Sequence, residues 1–323
     1  MNTYHDLYGL KILYRRIIGL AIFSAIVLLA PLVVKEGYFL EVLFLCNYYV
    51  VLACTWDLLS GYTGKVSFGH NLFVGAAGYT GAVLNLNLGW GPWLTLPMGG
   101  LVAGLLGLLV GAVTLRLKGP YFGGVTFCIG MLLYKFLCIS TKTLGGEEGL
   151  PGVSPLMSSP LGNYYFSAIF MLIAVYFLYF LTRSSFGLIL TSIGANEQAS
   201  EGSGINTTFY KVAAFTMSGA IAGIASAMYT HIMQHATPAM AHETLGAVVL
   251  MMAVVGGMGT ILGPIIGGYV LTIINEAFRF MGDMRLLIYS GLTFGMFLFA
   301  PKGVFDIILR VYRRITQGRK QPT

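Results

Sequence analysis

The chain has 323 residues, of which 56% are hydrophobic and 10% are charged. Water-soluble domains carry about 25% charged residues, so this composition excludes a soluble globular protein and predicts one that is surrounded by lipid. The formal net charge of +7 does not indicate nucleic-acid binding, because the basic residues stand singly at the ends of apolar segments, apart from a C-terminal cluster.

Apolar segments long enough to cross about 30 Å of hydrocarbon recur along the chain. The first follows a few basic residues but is too long for the apolar core of a signal peptide, so we expect it to be a retained helix. Hydropathy therefore predicts an all-α, polytopic integral membrane bundle with about eight to ten transmembrane helices. The predicted spans lie near residues 17–34, 39–59, 71–88, 93–115, 121–139, 164–182, 210–232, 244–260, 264–280 and 285–300.

The distribution of lysine and arginine predicts the orientation of the chain. With the N-terminus in the cytoplasm, most of the basic residues between and beyond the spans fall on the cytoplasmic side, as the positive-inside rule requires. We therefore expect both termini to be cytoplasmic, with a short N-terminal segment over 1–16, a transmembrane domain over 17–300 and a basic tail over 301–323.

Two glycine-rich segments, 61–69 and 256–264, each follow one apolar segment and open another. We call them the first and second glycine turns. Interruptions at corresponding places in two halves of a membrane protein indicate an internal repeat and a transport path, because unwound backbone survives at membrane depth only where protein buries it or it lines a cavity. Plain turns between helices explain the same pattern, and the sequence favours neither interpretation.

Residues 183–209 form the longest polar stretch that the predicted topology places between spans on the cytoplasmic side. Within it, Asn196 is typical of a helix N-cap, Glu197 would lie in the first turn, and Gly202 or Gly204 would end the helix. A short polar helix facing the cytoplasm has the form of a docking element, whereas an ordinary connecting loop is the alternative.

Few residues offer chemistry within the predicted spans. Glu41, Asp57, Lys135 and Glu276 lie near span ends, where extension of the side chain to the interface is the cheaper explanation. The chain lacks the spacing of a nucleotide-binding phosphate loop, and no nucleophile motif is present. The sequence therefore predicts no catalytic residues and no cofactor in this chain.

Three histidines, His231, His235 and His242, are spaced so that they can approach one another, four and seven residues apart. A metal site at these residues would need a zinc motif or cysteine partners that the sequence does not supply. We therefore expect a polar cluster rather than a metal site, and the alternative is an intramembrane metallohydrolase.

Several motifs, in the correct order over residues 50–304, resemble those of the permease subunits of branched-chain amino acid ABC importers, of the LivM type. The first glycine turn matches that family's pattern Gly-Tyr-x-Gly-x-x-Ser-x-Gly-His. Other matching segments are Arg116–Phe122 with Val125–Thr126, Gly145–Gly146 with Gly149–Val153, the second glycine turn and Pro301–Gly303. Further matches are Asn196–Glu201, Gly204–Asn206, Lys211 and Ala214–Phe215.

The resemblance implies a multi-pass protein of the bacterial inner membrane, with a second permease subunit, a periplasmic substrate-binding protein and two cytoplasmic ATPase subunits that bind ATP and Mg²⁺. It implies that movement of the short helix, when the ATPases close, switches access to the path. The residues expected to couple to the ATPases are Asn196, Glu197, Gln198, Ala199, Ser200, Glu201 and Gly204. The residues expected along the path are Gly61, Gly64, Ser67, Gly69, His70, Asn71, Tyr121, Thr126, Gly256, Gly257 and Gly259.

The sequence departs from the family pattern at positions that bear on the solute. Asp57, Lys65 and Met131 stand where the family usually has Asn, Gln and Glu, and Gly123 and Gly124 replace bulkier residues. The resemblance implies branched-chain or other hydrophobic amino acids as the solute, with urea, short amides or small aromatic acids as alternatives. A stand-alone secondary transporter is a further class, which the scarcity of intramembrane charge disfavours.

Overall fold

A computed structural model of the chain describes residues 18–32, 37–116 and 121–279, together with single positions between 282 and 295. The expected N-terminal segment 1–16, the basic tail 301–323 and most of the tenth predicted span lie outside these residues. The first six helices described are α1 Ile18–Leu32, α2 Gly37–Thr63, α3 His70–Leu88, α4 Pro92–Thr114, α5 Tyr121–Ile139 and α6 Thr141–Leu144. They are followed by α7 Pro160–Arg183, α8 Ser185–Ala195, α9 Glu197–Gly202, α10 Thr207–Met233, α11 Glu243–Gly256 and α12 Leu262–Ala277.

Five of the described helices, α2, α4, α5, α7 and α10, are long and apolar enough to cross a membrane. Four others, α1, α8, α11 and α12, are apolar but shorter. The prediction of an all-α, polytopic membrane bundle is therefore confirmed. The described part of the chain contains one small sheet, in which β1 Leu150–Pro151 pairs antiparallel with β2 His235–Ala236 near the C-terminal end of α10.

Helix α2 lies at the centre of the bundle. Every residue from Val50 to Ser60 is buried, and α7, α10, α11 and α12 all contact this helix. A helix that is buried on all sides must be apolar all round, which explains why α2 shows no polar face. The polar side chains that α2 does carry are therefore turned toward other protein segments.

Helices α4 and α10 make the closest helix pair of the bundle, through small residues. A Cβ atom added to Gly223 of α10 would lie 2.6 Å from the Cβ of Ala103 and 2.7 Å from the carbonyl oxygen of Gly99. On α4, Gly100 and Gly107 face the backbone of α10 in the same way. Close approach at small residues supplies the packing that the hydrophobic effect cannot supply between helices in lipid. The sequence spacing of Gly99, Gly100, Gly104, Gly107 and Gly111 predicts such packing, and their contacts with α10 confirm it.

We predict that Gly223→Ala destabilises the protein by about 1–3 kcal/mol, because the added methyl group overlaps α4 and forces the two helices apart. The matched control is Gly124→Ala in α5, where no atom lies within 4 Å of the added Cβ. Thermal unfolding of the two purified variants in detergent measures the difference. Equal melting temperatures would contradict close packing of α4 on α10.

Candidate functional site

The first glycine turn folds back into the bundle beside α2. The indole Nε1 of Trp56 donates a 2.7 Å hydrogen bond to the carbonyl oxygen of Ser67, and His70 Nε2 lies 3.0 Å from the hydroxyl of Thr55. Thr55 lies eight residues before Thr63, the last residue of α2. Because a helix rises 1.5 Å per residue, α3 begins about 12 Å inside the end of α2.

Protein groups satisfy the backbone of this re-entrant segment. The amide of Ser67 donates to the hydroxyl of Ser60 at 3.2 Å, and the amide of Phe68 donates to the hydroxyl of Thr126 at 3.2 Å. Non-helical backbone at membrane depth is tolerated only when protein buries it in this way or when it lines a cavity. The geometry thus fits the interpretation of the first turn as more than a surface connection.

The second glycine turn contacts the first. The amide of Gly259 donates a 2.8 Å hydrogen bond to Oδ1 of Asp57, one turn before Gly61. A Cβ atom on Gly61 would collide with that carboxylate and with the Gly259 nitrogen. Gly259 has a φ of +71°, which only glycine adopts readily. The two glycine-rich segments are therefore adjacent in space as well as similar in sequence.

The expected extension of Asp57 to the membrane interface is wrong. Its side chain is 0% exposed, because it turns inward to accept the hydrogen bond from the second glycine turn. Near the other end of α2, by contrast, Glu276 accepts a hydrogen bond from the exposed Tyr38 at 2.7 Å and pairs with Arg279. Hydropathy alone does not distinguish these two carboxylates.

Most of the expected path residues gather around the two turns. Asn71 donates a 2.7 Å hydrogen bond to the carbonyl oxygen of Ala241, just before α11, and Gly69 packs against the backbone of Thr126. Tyr121, the first residue of α5, is instead 70% exposed. The remaining members lie within the turns or at their ends, namely Gly61, Gly64, Ser67, His70, Gly256, Gly257 and Gly259.

Helix α9 forms where the sequence predicts a short polar helix. Asn196 is the N-cap, and its side chain accepts a 3.0 Å hydrogen bond from the amide of Ala199. The helix ends at Gly202, and Gly204 follows with a φ of +84°. The capping prediction is confirmed. The polar part is shorter than expected, however, because α8 occupies residues 185–195 as a largely apolar helix.

The carboxylate of Glu197 joins α9 to two distant parts of the bundle. Its Oε2 lies 2.9 Å from Nζ of Lys65 in the first glycine turn, and its Oε1 accepts a hydrogen bond from Lys211 of α10. Lys211 is 2% exposed and also donates to the carbonyl oxygen of Leu115 at 3.2 Å. Burial alone would raise the pKa of Glu197, but the two lysines outweigh burial and hold it below its usual value.

The expected coupling residues divide between two faces of α9. Glu197 and Ser200 turn toward the bundle, where the Ser200 hydroxyl lies 2.8 Å from that of Ser192. The other members are exposed, namely Asn196, Gln198, Ala199, Glu201 and Gly204. We call Gln198, Ala199, Glu201 and Gly202 the outer face of α9. Glu201 also accepts a 2.7 Å hydrogen bond from the hydroxyl of Thr207 in α10. This short helix is therefore bonded to the bundle on one side and exposed on the other.

The three histidines have separate partners. His231 lies 2.6 Å from the hydroxyl of Thr95 and 2.8 Å from the carbonyl oxygen of Ser154. His235 contacts the carbonyl oxygen of Met233, whereas His242 caps α11. Among the described residues, no three His, Cys, Asp or Glu side chains are grouped as metal ligands. These contacts are those of polar side chains that stabilise loops and helix ends.

Sequence reasoning missed the ion pairs of Glu197 and the position of Glu243. Lys65, Glu197 and Lys211 are far apart in the chain, so no helical periodicity connects them. The predicted topology places all three residues on the cytoplasmic side, and charged residues are few in this chain, so these two facts together could have indicated that they pair. Glu243 lies one residue before the predicted span 244–260, whereas the structure makes it the first residue of α11.

Comparisons with known proteins agree with this architecture. The family described as branched-chain amino acid transport system / permease component matches residues 38–301. The high-affinity branched-chain amino acid transport system permease protein LivM of Escherichia coli (strain K12) is 25% identical, over 86% of this chain and 72% of its own length. LivM of Salmonella typhimurium (strain LT2) gives the same three values.

A relative whose name gives a different solute is also similar. The fructose import permease protein FrcC of Rhizobium meliloti is 25% identical over 66% of this chain and 64% of its own length. No solved structure gave a significant match.

We predict that Glu197→Gln loosens α9 from the bundle by about 1–3 kcal/mol, because two lysines lose their anionic partner. Hydrogen exchange should accelerate about 5- to 100-fold at the amides of α9. The control is Glu201→Gln, which should exchange like the parent, because the amide oxygen of glutamine can still accept the 2.7 Å hydrogen bond that Thr207 Oγ1 donates to Glu201. In the parent protein, the stabilisation of α9 by Glu197 should also depend on pH, because the pKa of Glu197 is lower in the folded protein than in the unfolded chain. The stabilisation is complete above pH 4.5, the ordinary pKa of the group, and is lost as the pH falls through the lower pKa of the folded protein. Unchanged exchange in Glu197→Gln would contradict the bridge.

Proposed function

The chain belongs to the branched-chain amino acid transport system permease family, and from this premise we propose that it forms part of the solute path of an importer driven by separate ATPase subunits. It is an ABC-transporter permease, whose relatives are transport subunits rather than enzymes. In the proposed complex, α9 is the helix through which the ATPases act.

The observation that carries this proposal is the link between α9 and the first glycine turn. Glu197 of α9 holds Lys65, which follows Gly64 within that turn. A displacement of α9 therefore pulls on the re-entrant segment through a charged contact rather than through a flexible loop. Asp57 extends the connection, since it joins the end of α2 to the second glycine turn. Movement at α9 is in this way transmitted to both turns.

The proposed assembly follows from which surfaces are exposed. The outer face of α9 is small and polar, which suits the rim of a protein interface. We assign this face to the two ATPases, and hence to the cytoplasmic side of a bacterial inner membrane, with both termini on the same side. A second permease subunit completes the path, and a periplasmic binding protein delivers the solute.

The proposed solute is a branched-chain or other hydrophobic amino acid. This proposal is supported by the solute named for the LivM relatives, which match more of this chain than the fructose permease does. Urea, short amides and small aromatic acids are the alternatives within the family. Uptake measured with each of these solutes decides between them.

The experiment that tests the proposal uses vesicles containing this chain, its partner permease and both ATPases, with the binding protein supplied. We expect uptake of leucine, isoleucine or valine that requires ATP hydrolysis. The decisive variant is Ala199→Arg, which places a long cation on the outer face of α9 without disturbing its cap. This change should remove the ATPases from the purified complex and reduce uptake at least tenfold.

The matched control is Ala199→Ser, which preserves size and should retain uptake. Equal uptake with and without ATP would contradict the importer, whereas full uptake by Ala199→Arg would contradict the assigned interface. Because Ala199 is exposed, both variants should match the parent in thermal stability, and that measurement excludes a folding defect.

A further inference from the structure

A cavity of about 320 Å³ lies beside the first glycine turn, between that turn, α5 and α11. Such a volume is at the lower end of the range for small-molecule sites, about 300–1,000 Å³. Its described apolar walls are formed by Phe68 of the turn, Phe127 of α5, and Val248 and Met251 of α11. Phe68 and Phe127 are each 39% exposed, so the described walls do not enclose the cavity completely.

Glu243 is the one charged side chain among the described residues that line this mostly apolar space. Its Oε2 atom is buried and has no hydrogen-bond partner among the residues that the structure describes, while its Oε1 lies 3.6 Å from Nε2 of His242. A buried carboxylate oxygen without a donor is costly, so its presence calls for an explanation. An ionisable group against an apolar wall in a membrane protein marks a site for a ligand or an ion.

The position of Glu243 is set by the same contacts that build the turns. Asn71 of α3 binds the carbonyl oxygen of Ala241, two residues earlier, and a Cβ on Gly246 would lie 2.8 Å from the carbonyl oxygen of Phe68. The first turn of α11 is therefore fixed against the first glycine turn. At 14 residues, α11 is about 21 Å long, too short to cross the bilayer alone.

We propose that this cavity is a solute subsite, in which Glu243 binds the ammonium group of a solute while Phe68, Phe127, Val248 and Met251 contact its apolar side chain. The chemical class is a small apolar primary amine, which includes the hydrophobic amino acids. This proposal rests on the proposed function for its place in transport, but the binding itself does not depend on ATPases.

The chemistry of the lining supports this class over neutral solutes. A carboxylate prefers a cationic donor, and a charge-assisted hydrogen bond from an ammonium group is about twice as strong as a neutral one. Aromatic rings attract the same cation through their faces, and two rings, Phe68 and Phe127, line the cavity. Sugars and urea need several polar partners, whereas the polar lining described here is limited to Glu243, Thr244 and Ser290.

The test places a reporter in the cavity wall and asks which probes protect it. Ala247 lines the cavity on α11, and Ala247→Cys is made in a chain whose cysteines at 46, 54, 128 and 138 are replaced. Labelling by a small maleimide is followed in membranes containing the complete importer without nucleotide. The probes are leucine, 3-methylbutylamine, which lacks the carboxylate, and 4-methylpentanoate, which lacks the amine.

We expect leucine and 3-methylbutylamine to slow labelling at least fivefold, and 4-methylpentanoate to leave it unchanged. Adding Glu243→Gln should remove the protection, whereas the matched control Glu148→Gln, an exposed carboxylate elsewhere, should retain it. Equal protection by the amine-free acid, protection that survives Glu243→Gln, or no protection by any of the three probes would overturn the subsite.

Uptake by the same membranes separates this proposal from the one above. Protection by amines without ATP-dependent uptake would leave the subsite standing and defeat the importer function. ATP-dependent uptake of leucine, without protection of Ala247→Cys, would support the importer function and overturn the subsite. A melting temperature of the Glu243→Gln protein equal to that of the parent shows that lost protection is not lost folding.

Discussion

The Glu197 carboxylate forms ion pairs with two lysines that come from distant parts of the chain. Lys65 brings the first glycine turn to α9, and the nearly buried Lys211 brings α10. An almost fully buried lysine needs an anionic partner, so Lys211 and Glu197 stabilise each other only when α9 is seated on the bundle. The position of this short helix is therefore coupled to the helices that it touches, which a polar loop would not achieve.

The same contacts explain how irregular backbone persists within the bundle. The first glycine turn lies against α2 because Trp56 and Ser60 provide hydrogen-bond partners for it, and Thr126 of α5 provides another. Asp57 then holds the second glycine turn through the Gly259 amide. Each irregular segment is thus bonded to a regular helix. The cavity beside Glu243 is lined in part by Phe68 of the first glycine turn, so a shift of that turn changes the cavity walls.

The helical class, the places of the five long apolar helices, the α4 glycine packing and the Asn196 cap could be predicted, because they depend on local composition and spacing. The long-range contacts could not. Asp57 looked like an interfacial carboxylate because its partner, Gly259, is about two hundred residues away and contributes only a backbone amide. Glu197 was predicted as a docking residue, whereas its side chain faces inward to two lysines. Backbone donors and distant charges leave no periodic signal in one sequence.

The proposed coupling requires the outer face of α9 to be presented to the cytoplasm, where ATPases can reach it. The most direct measurement labels Gln198→Cys, in a chain without its native cysteines, with a membrane-impermeant maleimide. Intact cells and inside-out vesicles are compared. We expect labelling in inside-out vesicles and none in intact cells. Labelling in intact cells would place α9 outside the cell, beyond the reach of any ATPase, and would contradict the proposed coupling.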